Sequence, residues 1–145
     1  MTTTQTSLRM TIHTTVALVE VGTAMAAMGV DRETVYACVD SGELSWAWDL
    51  SSDGSPRREV RVWRRCLTDD NAILGGLSTD DVIEEILGTK TEHRSGAIQQ
   101  LFTVSHQSIL RWVRTGELTG QIRGHTLWVT AKSLRSFLSA RRIGA

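Results

Sequence analysis

One stretch of this chain occurs twice, and this repetition limits its folds more than any other feature. Residues 30–45 (VDRETVYACVDSGELS) align without a gap with residues 104–119 (VSHQSILRWVRTGELT), at an offset of 74 positions. The identical pairs are Val30/Val104, Val39/Val113, Gly42/Gly116, Glu43/Glu117 and Leu44/Leu118. The pairing continues upstream, where residues 22–28 lie opposite residues 96–102. A repeat of this length predicts that one structural unit occurs twice.

Each copy has the pattern of a short amphipathic helix. In the second copy Ser105 is a typical N-cap, and Gly116 ends the helix. The first copy has Asp31 at the position of this N-cap. The apolar stripe of the helix is also kept, with Val35, Cys38 and Val39 in the first copy and Ile109, Trp112 and Val113 in the second. A helix that buries one face and presents Arg, Gln and His on the other is typical of DNA recognition.

The residues around these helices resemble a known family. In both copies a small-residue helix precedes Val-Asp/Ser-x-x-Thr/Ser-Val/Ile-Tyr/Leu, then Ser/Thr-Gly-Glu-Leu and a hairpin that ends in Trp. The second copy adds Trp128-Val129-Thr130 and the apolar residues of a closing helix, Leu134, Phe137 and Leu138. Over residues 16–66 and 96–138 the chain is similar to the excisionase/MerR-type winged helix-turn-helix family.

This resemblance implies a mainly α fold with small β-hairpin wings (α+β), arranged as two tandem winged helix-turn-helix domains. It also implies binding to double-stranded DNA, with the second helix of a domain in the major groove and the wing on the backbone or in the minor groove. The resemblance leaves open whether such a protein regulates transcription or assists a recombinase.

Charge divides the chain into three parts. We expect an acidic N-terminal unit with a long wing at 1–75, an acidic helix with a linker at 76–94, and a basic C-terminal unit at 95–145. These parts hold seven, two and seven Lys/Arg against ten, five and one Asp/Glu, although the whole chain is neutral. A basic unit attracts phosphate, which favours the C-terminal unit as the DNA-binding one.

The predicted DNA contacts lie on the second helix of the C-terminal unit, its wing at 120–128 and its closing helix. They are Ser105, His106, Gln107, Ser108, Arg111, Arg114, Arg123, His125, Lys132 and Arg135. Arg111 and Gln107 are the candidates for reading guanine and adenine. The cations Arg114, Lys132 and Arg135 are expected at phosphates, which position a protein without specifying sequence. The wing residues Arg123 and His125 are expected at the backbone or in a minor groove.

The N-terminal unit has a less basic equivalent surface, which we predict binds either a partner or a second stretch of DNA. It comprises Arg32, Glu33, Tyr36, Arg57, Arg58 and Arg61. Glu33 and Asp40 replace Gln107 and Arg114, and carboxylates repel phosphate, so a protein assembly surface is favoured. The alternative is that Glu33 accepts a hydrogen bond from cytosine while the arginines hold the backbone.

The sequence also predicts three elements outside the repeated stretch. The pattern predicts an edge strand at residues 8–13, a helix at 78–87 capped by Ser78, and a linker at 88–94. The helix at 78–87 either braces the two units or forms a dimer contact.

When Trp63 is aligned with Trp128, the first wing is nine residues longer than the second. Its tryptophans insert into DNA, pack on a partner or cover the core of the acidic unit.

No pattern of catalytic residues, metal ligands or cofactor binding stands out, so the chain is not expected to be an enzyme. It has two cysteines and no run of eighteen apolar residues, which favours a cytoplasmic protein that does not enter a membrane.

A small DNA-binding domain of this kind contacts few base pairs, so we expect a homodimer or cooperative assembly on DNA. The alternative function is a protein-interaction module, such as an anti-repressor or inhibitor, that uses the acidic N-terminal unit.

Overall fold

The protein has an α+β fold, as expected. The computed structural model describes residues 16–52 and 54–144, which contain seven α-helices and two three-stranded antiparallel sheets. The strand predicted at residues 8–13 lies outside these ranges. No helix in the described ranges is both long enough and apolar enough to cross a membrane.

The first half of the chain forms one sheet with two helices beside it, followed by three further helical segments. The elements are β1 (Leu18–Glu20), α1 (Val21–Met28), α2 (Arg32–Ser41), β2 (Ala47–Asp49), β3 (Val60–Trp63), a 3-10 helix (Arg64–Leu67), α3 (Asn71–Leu74) and α4 (Thr79–Leu87). Strand β3 lies between β1 and β2 and is antiparallel to both.

The second half repeats this order. Its elements are β4 (Glu92–Arg94), α5 (Ser95–Phe102), α6 (His106–Arg114), β5 (Gly120–Arg123), β6 (Thr126–Thr130) and α7 (Ala131–Arg141). Strand β6 lies between β4 and β5, as β3 does in the first sheet. The segment 88–94 was predicted as a linker, and this was wrong for its last three residues. They form β4, which is too short and too polar to show a strand pattern in the sequence.

The duplication is present in the structure at the same offset of 74. Strands β1 and β4, helices α1 and α5, and the first residues of α2 and α6 all correspond at this spacing. Asp31 and Ser105 cap their helices by accepting from the N–H groups of Thr34 and Ser108, at 2.9 and 3.1 Å. We call residues 16–67 the first repeat and residues 90–141 the second repeat.

The structure matches the residues of the two hairpins differently from the sequence alignment, which paired Trp63 with Trp128. The N–H of Trp63 donates to Trp46 O, and the N–H of Thr130 donates to Thr119 O in the equivalent place. Trp63 therefore matches Thr130 rather than Trp128, and the first hairpin region is seven residues longer, not nine. Trp128 is instead the counterpart of Arg61, since these residues pair with Arg94 and Glu20 respectively.

The tryptophans of the first repeat belong to its core, which confirms one of the three sequence interpretations. Trp46 and Trp48 are fully buried and Trp63 is 2% exposed. The indole N–H of Trp46 donates to Leu74 O at 2.7 Å, and the Arg142 guanidinium lies 3.4 Å from the Trp46 ring centroid. These side chains cannot insert into DNA, because both faces of the first sheet are covered.

The two repeats pack against each other around one continuous apolar core. Backbone hydrogen bonds cross the boundary from Ala17 N to Leu101 O (3.0 Å) and from Ile143 N to Ala47 O (2.9 Å). Helix α4 packs on α7, and its Glu85 forms an ion pair with Arg65 of the first repeat at 2.8 Å. This arrangement fits the prediction that helix 78–87 braces the two units.

One turn of the second repeat depends directly on the first repeat. Thr103, between α5 and α6, has a φ of 52°, and it is the only non-glycine residue of the described ranges with positive φ. Its counterpart is Gly29, for which this conformation carries little cost. The guanidinium of Arg61 donates to Thr103 O at 2.8 Å and to Phe102 O at 3.0 Å, and the Thr103 hydroxyl donates to Leu18 O at 2.7 Å.

We predict that Arg61→Ala lowers the free energy of unfolding by about 2–4 kcal/mol, because buried carbonyls lose charge-assisted hydrogen bonds. Urea denaturation followed by tryptophan fluorescence measures this change, with the exposed Arg32→Ala as control. A loss below about 0.5 kcal/mol for Arg61→Ala would contradict the role given to this side chain.

Candidate nucleic-acid interface

Helix α6 presents one apolar face to the core and one polar face to solvent. Ile109 and Trp112 are fully buried, and the Trp112 ring lies 4.7 Å from that of Phe137. The predicted contact residues His106, Gln107, Arg111 and Arg114 are all exposed. The structure therefore brings them together on one surface, as the 3.6-residue period of the sequence requires.

The first turn of α6 is fixed by hydroxyl groups. Ser105 Oγ accepts from the N–H of Ser108 and lies 3.1 Å from the Ser108 hydroxyl, so both serines are engaged in capping. His106 Nδ1 is 2.7 Å from Ser95 Oγ at the start of α5. Of the four predicted contacts at this end of the helix, only Gln107 has no side-chain hydrogen bond among the described residues.

The cations of residues 95–145 fall into two groups. Three are engaged within the protein: Arg123 with Glu92, Arg141 with Glu117, and Arg142 with Ser45 O. The other four, which are Arg111, Arg114, Lys132 and Arg135, form no side-chain ion pair or hydrogen bond with any described residue. The unneutralised charge of the second repeat is thus concentrated on α6 and α7.

The wing holds one of its two predicted contact residues in place. Arg123 Nη2 is 2.6 Å from Glu92 Oε1, and its guanidinium lies 4.8 Å from the centroid of the Trp128 ring. His125 is exposed beside Gly124, whose φ of 64° allows the tight turn. Ile122, which precedes Arg123 on β5, is 65% exposed.

The two cations of α7 occupy different surroundings. Lys132 lines a cleft near the end of α6, where the one carboxylate, Glu117, is already paired with Arg141. Arg135 lines another cleft with Asp80 and Glu84 of α4, two carboxylates that form no ion pair with any described residue. Arg135 is therefore less well placed for a phosphate than Lys132.

The surface predicted on the first repeat is only partly assembled. Arg32, Tyr36, Arg58 and Arg61 line a cleft of about 550 Å³. Arg58 forms an ion pair with Asp40 at 2.9 Å and lies over the Tyr36 ring at 5.1 Å, while Glu33 is exposed in the first turn of α2. The pairing neutralises one of the two carboxylates that were expected to repel phosphate.

Arg61 does not belong to this surface as an exposed side chain, which corrects its sequence assignment. It is 7% exposed and holds the turn before α6. The sequence placed it on a polar wing because basic residues dominate the stretch 57–65. Only the packing of the second repeat against β3 buries it.

The loop between β2 and β3 contributes residues to the surface of α6, which the sequence did not predict. Arg57 and Arg58 line a cleft of about 360 Å³ together with Arg111 and three serines of the loop. Arg57 and Arg111 are 54 residues apart in the chain, so no local pattern could have paired them.

Comparisons with protein-family models, with curated proteins and with solved structures gave no significant match.

His93 is a buried histidine on β4 whose pKa is lowered. Burial lowers its pKa below the ordinary 6.5, and the positive charges of Lys90 and Arg135 lower it further. Its Nε2 is buried without a hydrogen-bond partner among the described residues. The folded protein thus takes up this proton at lower pH than the unfolded chain does.

We therefore predict that the contribution of His93 to stability is present above the unfolded pKa of 6.5 and is lost as the pH falls from there to its folded pKa, with a slope of at most about 1.4 kcal/mol per pH unit. Denaturation curves at pH 7.5, 6.5 and 5.5 test this, with His93→Leu expected to flatten the dependence and the exposed His125→Leu to preserve it. An unchanged slope in His93→Leu would show that another group is responsible.

Proposed function

We propose that this protein is a sequence-specific binder of double-stranded DNA, built as two tandem winged helix-turn-helix units. It would act as a transcriptional regulator or an excisionase-like factor of bacterial, phage or plasmid type. The observation that carries the proposal is the exposed face of α6, where the side chains of Gln107, Arg111 and Arg114 have no partner among the described residues. Most other arginines of the described ranges are paired or hydrogen-bonded.

In this proposal α6 lies in the major groove. Gln107 and Arg111 are one helical turn apart, so both side chains reach base edges from one face of the helix. Arg114 is at the end of α6, and Lys132 lies near that end, so both suit phosphates at the groove edge. The wing at 120–128 follows the backbone or the minor groove, with His125 at its tip.

The proposal gives the first repeat a mainly positioning role. Its Arg61 and Leu18 fix the turn that precedes α6, and its own exposed helix α2 carries Glu33 and the paired Asp40. A footprint based on one reading helix covers few base pairs, so we propose that the protein binds repeated half-sites as a homodimer or cooperatively.

To test the proposal, duplexes bound by the full chain are selected from a randomised pool, and each variant is compared on selected and scrambled duplexes. We predict that Arg111→Ala removes about 1–3 kcal/mol of discrimination between them. Arg114→Ala weakens binding to both alike and reduces the salt slope by about one. Arg65→Ala, which breaks ion pairs with Asp69 and Glu85, is the control and leaves binding unchanged.

Failure of the full chain to bind any duplex at low salt would contradict the proposal. It would favour the alternative, a protein-interaction module such as an anti-repressor or inhibitor that uses the acidic first repeat. Equal losses for Arg111→Ala and Arg114→Ala on both duplexes would instead show binding without base recognition.

A further inference from the structure

The loop between β2 and β3, which is described at residues 50–52 and 54–59, is anchored at its base. Asp49 accepts hydrogen bonds from the N–H groups of Ser51 and Glu59, both at 3.0 Å, and from the Ser51 hydroxyl at 2.6 Å. These bonds close the two ends of the loop onto one carboxylate. The loop therefore leaves the first sheet in a defined direction.

Two further contacts hold the loop between α2 and the end of α6. On one side the Arg58 guanidinium binds both carboxylate oxygens of Asp40, at 2.9 and 3.3 Å. On the other side the Ser52 hydroxyl donates to Glu117 Oε2 at 3.3 Å. Glu117 also accepts from Thr115 Oγ1 at 2.6 Å, so it links the loop to the end of α6.

This placement brings together two positive charges that nothing in the described chain neutralises. Arg57 of the loop and Arg111 of α6 line the same cleft, and neither forms an ion pair there. Glu59 also lines this cleft, and Glu117 lies near it. Of the described residues, these two carboxylates are already paired, Glu59 with Arg61 and Glu117 with Arg141. Like charges at a shared cleft repel each other, and a phosphate bound by Arg57 would reduce this repulsion.

We infer that Arg57 binds a phosphate of the DNA backbone beside the base pair that Arg111 contacts. The long loop of the first repeat is then part of the interface of the second repeat rather than a wing for its own helix α2. This inference rests on the proposed function, since it requires duplex DNA at α6. It assigns the seven additional residues of the first hairpin region a role in binding.

The chemistry of the cleft favours a phosphate over a base edge. Arginine binds phosphate oxygens through two parallel N–H donors. The loop hydroxyls are engaged, Ser51 with Asp49, Ser52 with Glu117 and Ser55 with Arg57 O, so they offer no additional pattern for reading a base. Contacts of this type strengthen binding to every sequence alike.

The test compares Arg57→Ala and Arg57→Lys with the wild-type full chain in salt titrations on selected and scrambled duplexes. We expect Arg57→Ala to weaken binding to both by about fivefold to tenfold, and to reduce the slope of log K against log salt by about 0.9. Arg57→Lys retains most of the slope because it keeps the charge. Arg65→Ala is the matched control, since it removes one partly exposed arginine of the first repeat that lies outside this cleft and is paired with Asp69 and Glu85.

An Arg57→Ala variant with the slope and affinity of the wild-type chain would overturn the inference. If Arg111→Ala still lost discrimination in that case, the proposed function would stand without the loop contact. If the wild-type chain bound no duplex at all, the proposed function and the inference would both fail. An equal loss in Arg65→Ala and Arg57→Ala would indicate attraction by overall charge and would also overturn the inference.

Discussion

The orientation of α6 depends on a turn that the second repeat does not stabilise alone. Thr103 adopts a left-handed conformation that is unfavourable for a β-branched residue, by about 1–3 kcal/mol. Hydrogen bonds from Arg61 and to Leu18 O fix its carbonyl and hydroxyl groups, and both partners belong to the first repeat. In the first repeat the same turn uses Gly29 and needs no such support. The duplicated units are thus unequal, and one of them stabilises the other.

The role of the first repeat in stabilising the second explains how the two repeats differ in composition. Its sheet is covered on both faces, so Trp46 and Trp48 occupy a core that the second sheet lacks. Its central strand carries Arg61 where the second repeat has Trp128, and this arginine donates a hydrogen bond to Phe102 O of the second repeat. A buried guanidinium is costly to desolvate, but it is satisfied here by backbone carbonyls that would otherwise lack donors. The first repeat therefore supports the polar face of α6 and places its own loop beside it.

Local chemistry determines the elements that could be predicted from the sequence. The caps at Asp31, Ser78 and Ser105, the helix spanning α6, and the hairpin of β5 and β6 are all found where periodicity and turn residues placed them. The features that were missed are strands β1 and β4, the burial of Arg61, and the cleft that Arg57 shares with Arg111. Each of these depends on contacts between residues far apart in the chain, such as Glu92 with Thr130. Helical period and capping act within one or two turns, whereas packing between repeats leaves no such local pattern.

We propose that the two repeats form one body with a single DNA-binding face on α6 and the loop between β2 and β3. Amide chemical-shift mapping of the full chain during titration with a short duplex distinguishes this face from the others. We expect saturable shifts in α6, in the wing at 120–128 and in the loop residues Ser55 and Arg57, with little change in α3 and α4. Shifts confined to α3 and α4, or to α2 without α6, would rule this face out.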